Sequence, residues 1–327
     1  MSCHTINKLR IAKLMVWQLL FVLILVFNFH ISFARATKNS VSEQNSETLP
    51  IYRYRLLFEI KGPLKLPSDV ALGPQGWIYV LDGTNNVVRV YNPLGKPLFT
   101  LGGDKLLHWP LGLAVSDKGE VLVADSRNHR LALFPPGVNK PHYIPVPAPK
   151  DGVPSDPTDV VFGLMPGVYI TVDNDNHRVL ALDFDGNVIW ATGEMGRGIE
   201  QFRYPFLMDE DQDGYIYVVE VINTRVQVLD QKGKFVRFIG EWGIDPGQFY
   251  RPKGVAVDEE GKVFVSDSYV GVIQIFKKDG KFLGAVGGPD GKLWRFHTPV
   301  GLATRDGFLF VVEMIKNRVL VLQALDK

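Results

Sequence analysis

The sequence has almost no cysteine. Its 327 residues include one, Cys3, and none follows it. Disulfide bonds, zinc–thiolate sites, thioether-linked haem and cysteine nucleophiles are therefore excluded for the globular part of the chain. The sequence also lacks helical patterns of about 10–15 residues between its apolar runs, which argues against a TIM barrel.

The sequence has little net charge as well. The formal charge is +1, and the first 36 residues hold four basic side chains and no acidic one, which leaves −3 for the remainder. Nucleic-acid-binding proteins usually present a basic face, so we expect no nucleic-acid partner. What the sequence does have is 32 glycines and 21 prolines, which indicate many turns.

The N-terminus has the layout of an export signal. Three basic residues precede an apolar run at 14–27, and the tripeptide Ala34-Arg35-Ala36 has the small-x-small pattern that signal peptidase accepts. Residues 1–36 are therefore predicted to be a signal peptide or, if they remain uncleaved, a membrane anchor that uses residues 14–33. Either alternative exports the rest of the chain to the periplasm or the extracellular space.

The segment at 37–50 is polar and has no periodicity, so we predict a flexible linker. Beyond it, one pattern recurs six times at intervals of 43–48 residues. Each copy begins with a proline: Pro67, Pro110, Pro157, Pro205, Pro252 and Pro299. After the proline come four short apolar strands separated by turns, which is typical of a four-stranded antiparallel sheet.

Six such sheets bury one another's faces when they are arranged around an axis. We therefore predict an all-β fold for residues 51–327, a six-bladed β-propeller of four-stranded antiparallel blades. The sixth copy ends with its third strand, and the segment from Tyr52 to Ile60 resembles the missing fourth. This N-terminal strand is predicted to close the last blade, with Leu56 and Phe58 buried.

An acidic residue ends the second strand of every copy: Asp82, Asp125, Asp173, Glu220, Asp267 and Glu313. In four copies an arginine follows five residues later: Arg130, Arg178, Arg225 and Arg318. A residue that recurs in every copy is expected to be structural rather than catalytic. We expect these carboxylates to accept backbone N–H groups and to pair with the arginine across the hairpin.

This repeat resembles that of the NHL-repeat propellers, which are named for an Asn-His-Leu triplet before the third strand. The matching residues are Asn128-His129-Arg130-Leu131 and Asn176-His177-Arg178-Val179, together with the F-x-x-P and G-x-A-x-D pattern from Phe249 to Asp258. The resemblance covers about residues 52–323 and implies a six-bladed propeller, here an exported member of bacterial type. It does not imply one function, because one propeller fold hosts many.

The turn at 209–214 has alternating carboxylates, Asp209, Asp211 and Asp213. With Glu220 it has the spacing of an EF-hand loop, but Gly214 begins a strand that carries Glu220 too far away to complete the site. The shorter turn is similar to the calcium turns of integrin-type propellers, and oxygen donors suit a hard cation. A structural calcium ion and a solvated acidic turn are the two alternatives; no other cofactor is expected.

Aromatic and basic residues are concentrated in the loops that lead into the blades. The candidate binding residues are His108, Trp109, Arg203, Tyr204, Trp242, Tyr250, Arg251, Lys253, Trp294, Arg295 and His297. Tyr, Trp and Arg are enriched at binding hot spots. We therefore predict a non-catalytic exported scaffold that binds a protein, peptide or glycan through the loops at the channel mouth, and that meets a membrane only through an uncleaved N-terminus.

The alternative is a metal-dependent propeller hydrolase or lyase, similar to the lactonases, which hold calcium in their channel. The inner positions of this chain offer Asp69 and Asp159, with Lys253 as a substitute of like charge for a metal. The zinc-binding histidines that propeller amidating lyases carry directly after the repeat proline are absent. The sequence therefore favours the scaffold.

Overall fold

The computed structural model of the chain describes residues 49–325. They form an all-β fold of 26 strands with four single-turn 3₁₀ helices. The predicted signal or anchor and nearly all of the predicted linker lie outside the described residues. Within residues 49–325, no helix is long and apolar enough to cross a membrane.

Each of the first four copies forms its own antiparallel sheet, with its four strands in chain order. The first copy has β2 (Asp69–Leu72), β3 (Ile78–Asp82), β4 (Val87–Tyr91) and β5 (Pro97–Gly102), and the second has β6 (Leu113–Val115), β7 (Val121–Asp125), β8 (Arg130–Phe134) and β9 (His142–Pro145). The third copy has β10 (Pro157–Phe162), β11 (Tyr169–Asp173), β12 (Arg178–Leu182) and β13 (Val188–Thr192). The fourth has β14 (Pro205–Glu210), β15 (Ile216–Glu220), β16 (Arg225–Leu229) and β17 (Phe235–Ile239). The short apolar runs of these copies therefore form sheets as predicted, and their second strands are buried at every position.

The fifth and sixth copies share one eight-stranded sheet with the N-terminal strand β1 (Ile51–Ile60). Its other strands are β20 (Pro252–Val257), β21 (Lys262–Asp267), β22 (Val272–Lys277), β23 (Phe282–Gly287), β24 (Pro299–Arg305), β25 (Phe308–Glu313) and β26 (Arg318–Ala324). Ahead of them, β18 (Glu241–Trp242) and β19 (Gln248–Phe249) form a small parallel pair.

Strand β1 has two partners. It pairs antiparallel with β26, where Ile60 lies opposite Val319. This is the pairing that the sequence predicted for the last copy. Its first residues also pair parallel with β23, where Ile51 lies opposite Ala285. The sequence did not predict this second contact, which joins the fifth and sixth copies.

The predicted burial of Leu56 is wrong. The pairing of β1 with β26 shifts by one residue between Leu56 and Phe58. Before the shift Tyr54 packs into the cluster between the fifth and sixth copies, and after it Ile60 packs into the cluster between the sixth and first. Leu56 lies at the change of register and remains 41% exposed, while Phe58 is half-buried.

The core lies between neighbouring sheets. Six apolar clusters occur within residues 49–325, and each is shared by two successive copies, including the last and the first. The first strands of the copies (β2, β6, β10, β14, β20 and β24) each contact the next, and β24 contacts β2. The inner strands therefore form a closed ring.

The acidic residues at the ends of the second strands have the structural role that the sequence predicted. Asp125 Oδ2 lies 2.8 Å from Arg130 Nε, and its Oδ1 accepts the N–H of His108 at 2.7 Å. The arginine pair also forms in the third, fourth and sixth copies. Arg89 supplies it in the first copy, and Asp267 accepts backbone N–H groups instead. These carboxylates tie each loop between copies to a hairpin.

Candidate functional site

The closed ring of inner strands surrounds a central cavity of about 280 Å³. The loops between copies and the turns between second and third strands lie at one end of the ring, here called the loop face. The turns between first and second strands lie at the other end, the turn face. Because every first strand runs from the loop face to the turn face, its residue order fixes the depth of each side chain along the cavity.

Four carboxyl groups line the cavity: Asp69, Asp159, Asp209 and Glu210. Asp69 and Asp159 were predicted to lie here. Sequence reasoning missed Glu210 and assigned Asp209 to a calcium turn. The signal that could have placed both was their position in β14, the first strand of the fourth copy.

Three of these carboxyls reach across to the next copy. Asp69 Oδ2 accepts the N–H of Leu113 at 3.0 Å, and Asp159 Oδ2 accepts that of Met208 at 2.6 Å. Asp209 Oδ2 accepts the N–H of Val257 at 2.8 Å. Glycines in the neighbouring copies provide space for two of these side chains. A Cβ at Gly112 would collide with Asp159, and one at Gly301 would collide with Asp69.

The cavity makes these groups weak acids. Burial raises the pKa of Asp69 and of Asp209 to about 7, and that of Glu210 to about 8. Burial, and then the charge of Asp69, raise the pKa of Asp159 well above its ordinary value. Within residues 49–325 no ion pair neutralises any of the four. The arrangement can therefore hold and release protons near neutral pH.

The carboxylates of the predicted calcium turn are not brought together. Asp209 points into the cavity, while Lys278 Nζ lies 2.9 Å from Asp211 and 2.8 Å from Asp213. The physical reason is the strand, since β14 extends to Glu210 and places Asp209 before the turn. The part of the chain from 49 to 325 has no group of three or more His, Cys, Asp or Glu side chains arranged to hold a metal. Calcium binding stays a prediction.

The predicted binding residues lie at the loop face. Trp109, Tyr204 and Trp242 are exposed, and Trp242 is the most exposed of the three, at 67%. Other exposed apolar side chains of this face were missed by the sequence reasoning, although they lie in the same loops and turns: Leu66, Val153, Met195, Ile199, Ile222, Ile244, Tyr269 and Ile315. The loop face therefore has more exposed apolar groups than predicted.

Several predicted binding residues also have structural contacts. The N–H of His297 donates to Glu313 at 2.6 Å, and Arg295 donates to the carbonyl of Val270. The ring of Trp294 stacks on Phe296 and is half-buried. These residues contribute to the loop face mainly by fixing its loops.

Three cations, here called the basic cluster, lie at the loop-face beginnings of the fourth and fifth copies. They are Arg203, Arg251 and Lys253. Lys253 Nζ lies 4.4 Å from the centre of the Phe206 ring. Burial, and then the charge of Arg251, lower the pKa of Lys253 to about 8. None of the three cations forms an ion pair with a carboxylate of residues 49–325, and Arg203 Nε is buried without a hydrogen-bond partner.

The sheets, the ring of inner strands and the turn residues define a protein of the β-propeller type that contains NHL repeats. The NHL repeat pattern matches residues 107–134 and 249–276. No curated protein matches the chain.

Solved structures of propeller type resemble the chain over most of its length. A virginiamycin B lyase from Staphylococcus aureus is 13% identical, with 84% of this chain and 100% of that chain covered and a TM-score of 0.62. A gluconolactonase from Xanthomonas campestris is 14% identical, with 86% and 99% covered and a TM-score of 0.63. At such low identity these similarities establish the fold alone.

Proposed function

We propose that the chain is an exported six-bladed propeller that binds a partner through its loop face. The observation that carries this proposal is the set of eleven large apolar side chains exposed there, beside a basic cluster that has no carboxylate partner within the described residues. Exposed large apolar groups on one face of a protein mark interaction surfaces when they are contiguous, and Trp, Tyr and Arg are enriched at binding hot spots. Five comparable side chains lie at the turn face: Leu94, Val138, Leu164, Met165 and Phe184.

The proposed count of six blades is supported by the six first strands that form the closed ring. Export is supported by the sequence of residues 1–36. Mass spectrometry of the chain recovered from a bacterial envelope fraction tests the export. We expect a mass that corresponds to cleavage after Ala36 or, for an anchored chain, the full mass in the membrane fraction. Recovery in the cytoplasm alone contradicts the proposal.

Affinity capture with the tagged full-length chain tests the binding face. Trp242→Ser removes a loop-face ring that is 67% exposed. Leu94→Ser is the matched control, because Leu94 is similarly exposed, at 72%, but lies at the turn face. We expect the same stoichiometric partner with the wild type and with Leu94→Ser, and its loss with Trp242→Ser. A partner that Trp242→Ser retains and Leu94→Ser loses would sink the loop-face assignment.

A second candidate function is hydrolysis or elimination in the central cavity. It is favoured by three carboxyl groups, Asp69, Asp209 and Glu210, whose pKa of about 7 to 8 lies near the working pH of a general acid or base. The similar solved structures include a lyase and a gluconolactonase. Within residues 49–325 no three carboxyls are arranged to hold a metal, so a metal-dependent reaction would require Asp69, Asp159, Asp209 or Glu210 to move together.

Lactone turnover with and without added calcium tests this candidate. A rate that Asp159→Asn abolishes, and that Trp242→Ser leaves unchanged, selects the enzyme over the binding protein. No turnover above the blank for a panel of five- and six-membered lactones argues against a lactonase.

A further inference from the structure

Lys253 is the one charged residue in a ring of otherwise uncharged positions. It directly follows the repeat proline, and the equivalent residues of the other copies are Ser68, Leu111, Thr158, Phe206 and Val300. Each first strand begins at the loop face, so these six positions lie at the loop-face end of the inner ring, and the residues that line the cavity follow them in the strands. A single ammonium group therefore lies at the loop-face end of the inner ring, above the ring of Phe206.

The surroundings of Lys253 leave its charge uncompensated. The only neighbouring charge that acts on it is that of Arg251, which repels it and keeps its pKa at about 8. The carboxyls of the cavity lie further along the first strands, toward the turn face. A half-buried cation with no counter-ion within residues 49–325 is costly unless an anion arrives, so the site is complementary to a carboxylate of a ligand.

Apolar side chains lie in the loops and turns of the same face as Lys253. Tyr204 packs edge-on against His177 at 4.9 Å between ring centres, and Tyr250 packs on Tyr269 at 4.4 Å. Ile222, on the same face, is half exposed. Seven of the eleven exposed apolar side chains of the loop face are aliphatic, and aliphatic groups suit the apolar side chains of a peptide better than a sugar ring.

We propose that the loop face binds an acidic peptide segment of a partner protein, with one carboxylate of the segment paired to Lys253 and its apolar side chains packed on exposed aliphatic groups such as Ile222. This inference rests on the proposed loop-face binding and adds the chemical class of the partner. Arg251 and Arg203 attract the segment, and Lys253 fixes its register.

The test uses three fluorescent probes with the full-length chain: a hexapeptide of alternating Leu and Glu, the same peptide with Gln for Glu, and a hexamer of galacturonate. We expect the acidic peptide to bind at least about tenfold more tightly than the Gln peptide. Lys253→Met, which keeps the aliphatic contact with Phe206, removes that difference, and Lys253→Arg restores it. Lys140→Met, at the exposed turn face, leaves it unchanged.

Acetylation at pH 8, read by mass spectrometry, gives a measure that needs no variant. The acidic peptide should slow acetylation of Lys253 and leave that of Lys140 unchanged. Equal binding of the Glu and Gln peptides, or binding of the galacturonate hexamer alone, overturns the inference. If either result appears while Trp242→Ser still abolishes partner capture, the acidic-peptide inference fails and the loop-face function stands.

Discussion

At the scale of single residues, the carboxylate that ends each second strand organises the repeat. Asp125 accepts hydrogen bonds from the N–H of His108, from the side-chain amide of Asn128 and from Arg130. Its side chain is fully buried. The Asp125 carboxylate therefore binds the loop that precedes the second copy, the turn between β7 and β8, and the first residue of β8.

Asp125→Ala should lower the free energy of unfolding by about 3–5 kcal/mol, because it leaves Arg130 and two N–H donors without their acceptor. Urea unfolding of the wild type and the variant measures this change. Asp151→Ala replaces an exposed aspartate and should change the free energy by less than about 0.5 kcal/mol. Equal effects of the two substitutions would contradict the structural role.

The cavity carboxyls predict a pH dependence of stability. The pKa of Asp69 and Asp209 in the folded chain is about 7, and that of Glu210 about 8, whereas unfolded carboxyls titrate near 4. The folded chain therefore binds more protons between these values. The stabilisation is complete below about pH 4 and is lost as the pH rises through 7 to 8.

We expect the free energy of unfolding to fall with rising pH by about 1.4 kcal/mol per pH unit for each carboxyl that the folded chain keeps protonated and the unfolded chain does not. Asp209→Asn keeps an acceptor for the N–H of Val257 and removes one of these groups, so it should make the slope shallower. Urea unfolding at pH 5, 6, 7 and 8 measures both slopes. An unchanged slope in Asp209→Asn contradicts the raised pKa.

At the scale of the element, β1 shows what the sequence could predict and what it could not. The order of the apolar runs predicted that the sixth copy lacks a fourth strand and that the N-terminal segment from Tyr52 to Ile60 replaces it. The change of register between Leu56 and Phe58 could not be predicted, because the apolar run Leu56-Leu57-Phe58 is compatible with either register and pairing with β26 decides between them.

The candidate site shows the same division. Repetition identified the structural carboxylates, because an acidic residue ends the second strand in all six copies. Asp209 and Glu210 occur in one copy, and a pattern of alternating acids looks the same at the end of a strand as in a turn. Their placement in the cavity depends on how far β14 extends, which pairing with β15 decides.

The shift in β1 predicts unequal effects along one strand. Ile60→Ala should cost about 2–5 kcal/mol in unfolding free energy, because Ile60 is 2% exposed and packs between the sixth and first copies. Leu57→Ala, at a residue that is 40% exposed, should cost less than about 1 kcal/mol. Thermal or urea unfolding distinguishes them, and a larger loss for Leu57→Ala would place the bulge elsewhere.

At the scale of the whole molecule, the ring is closed by strand pairing rather than by chain order. Leu325 N–H donates to the carbonyl of Arg53, so the end of β26 lies beside the beginning of β1. A permuted chain that runs from residue 61 to 325 and continues through a short Gly-Ser turn into residues 49–60 would give the sixth blade a simple hairpin.

We expect this permuted chain to keep the near-ultraviolet circular dichroism of the wild type and a single cooperative unfolding transition. A chain that starts at residue 61 and lacks β1 should lose both, because it exposes the edges of β26 and β23. A permuted chain no more stable than the truncated one would show that β1 does not close the ring.

Both strands that pair with β1 are synthesised long after it. Ile60 leaves the ribosome long before its partner Val319 exists. At a synthesis rate of about 5–20 residues per second, β1 is complete on the order of 10–50 s before β26, with which it pairs. During this interval an apolar edge strand is exposed in every nascent chain. A chaperone that binds early-emerging β1 and releases it only after translation ends would therefore protect the step on which completion of the ring depends.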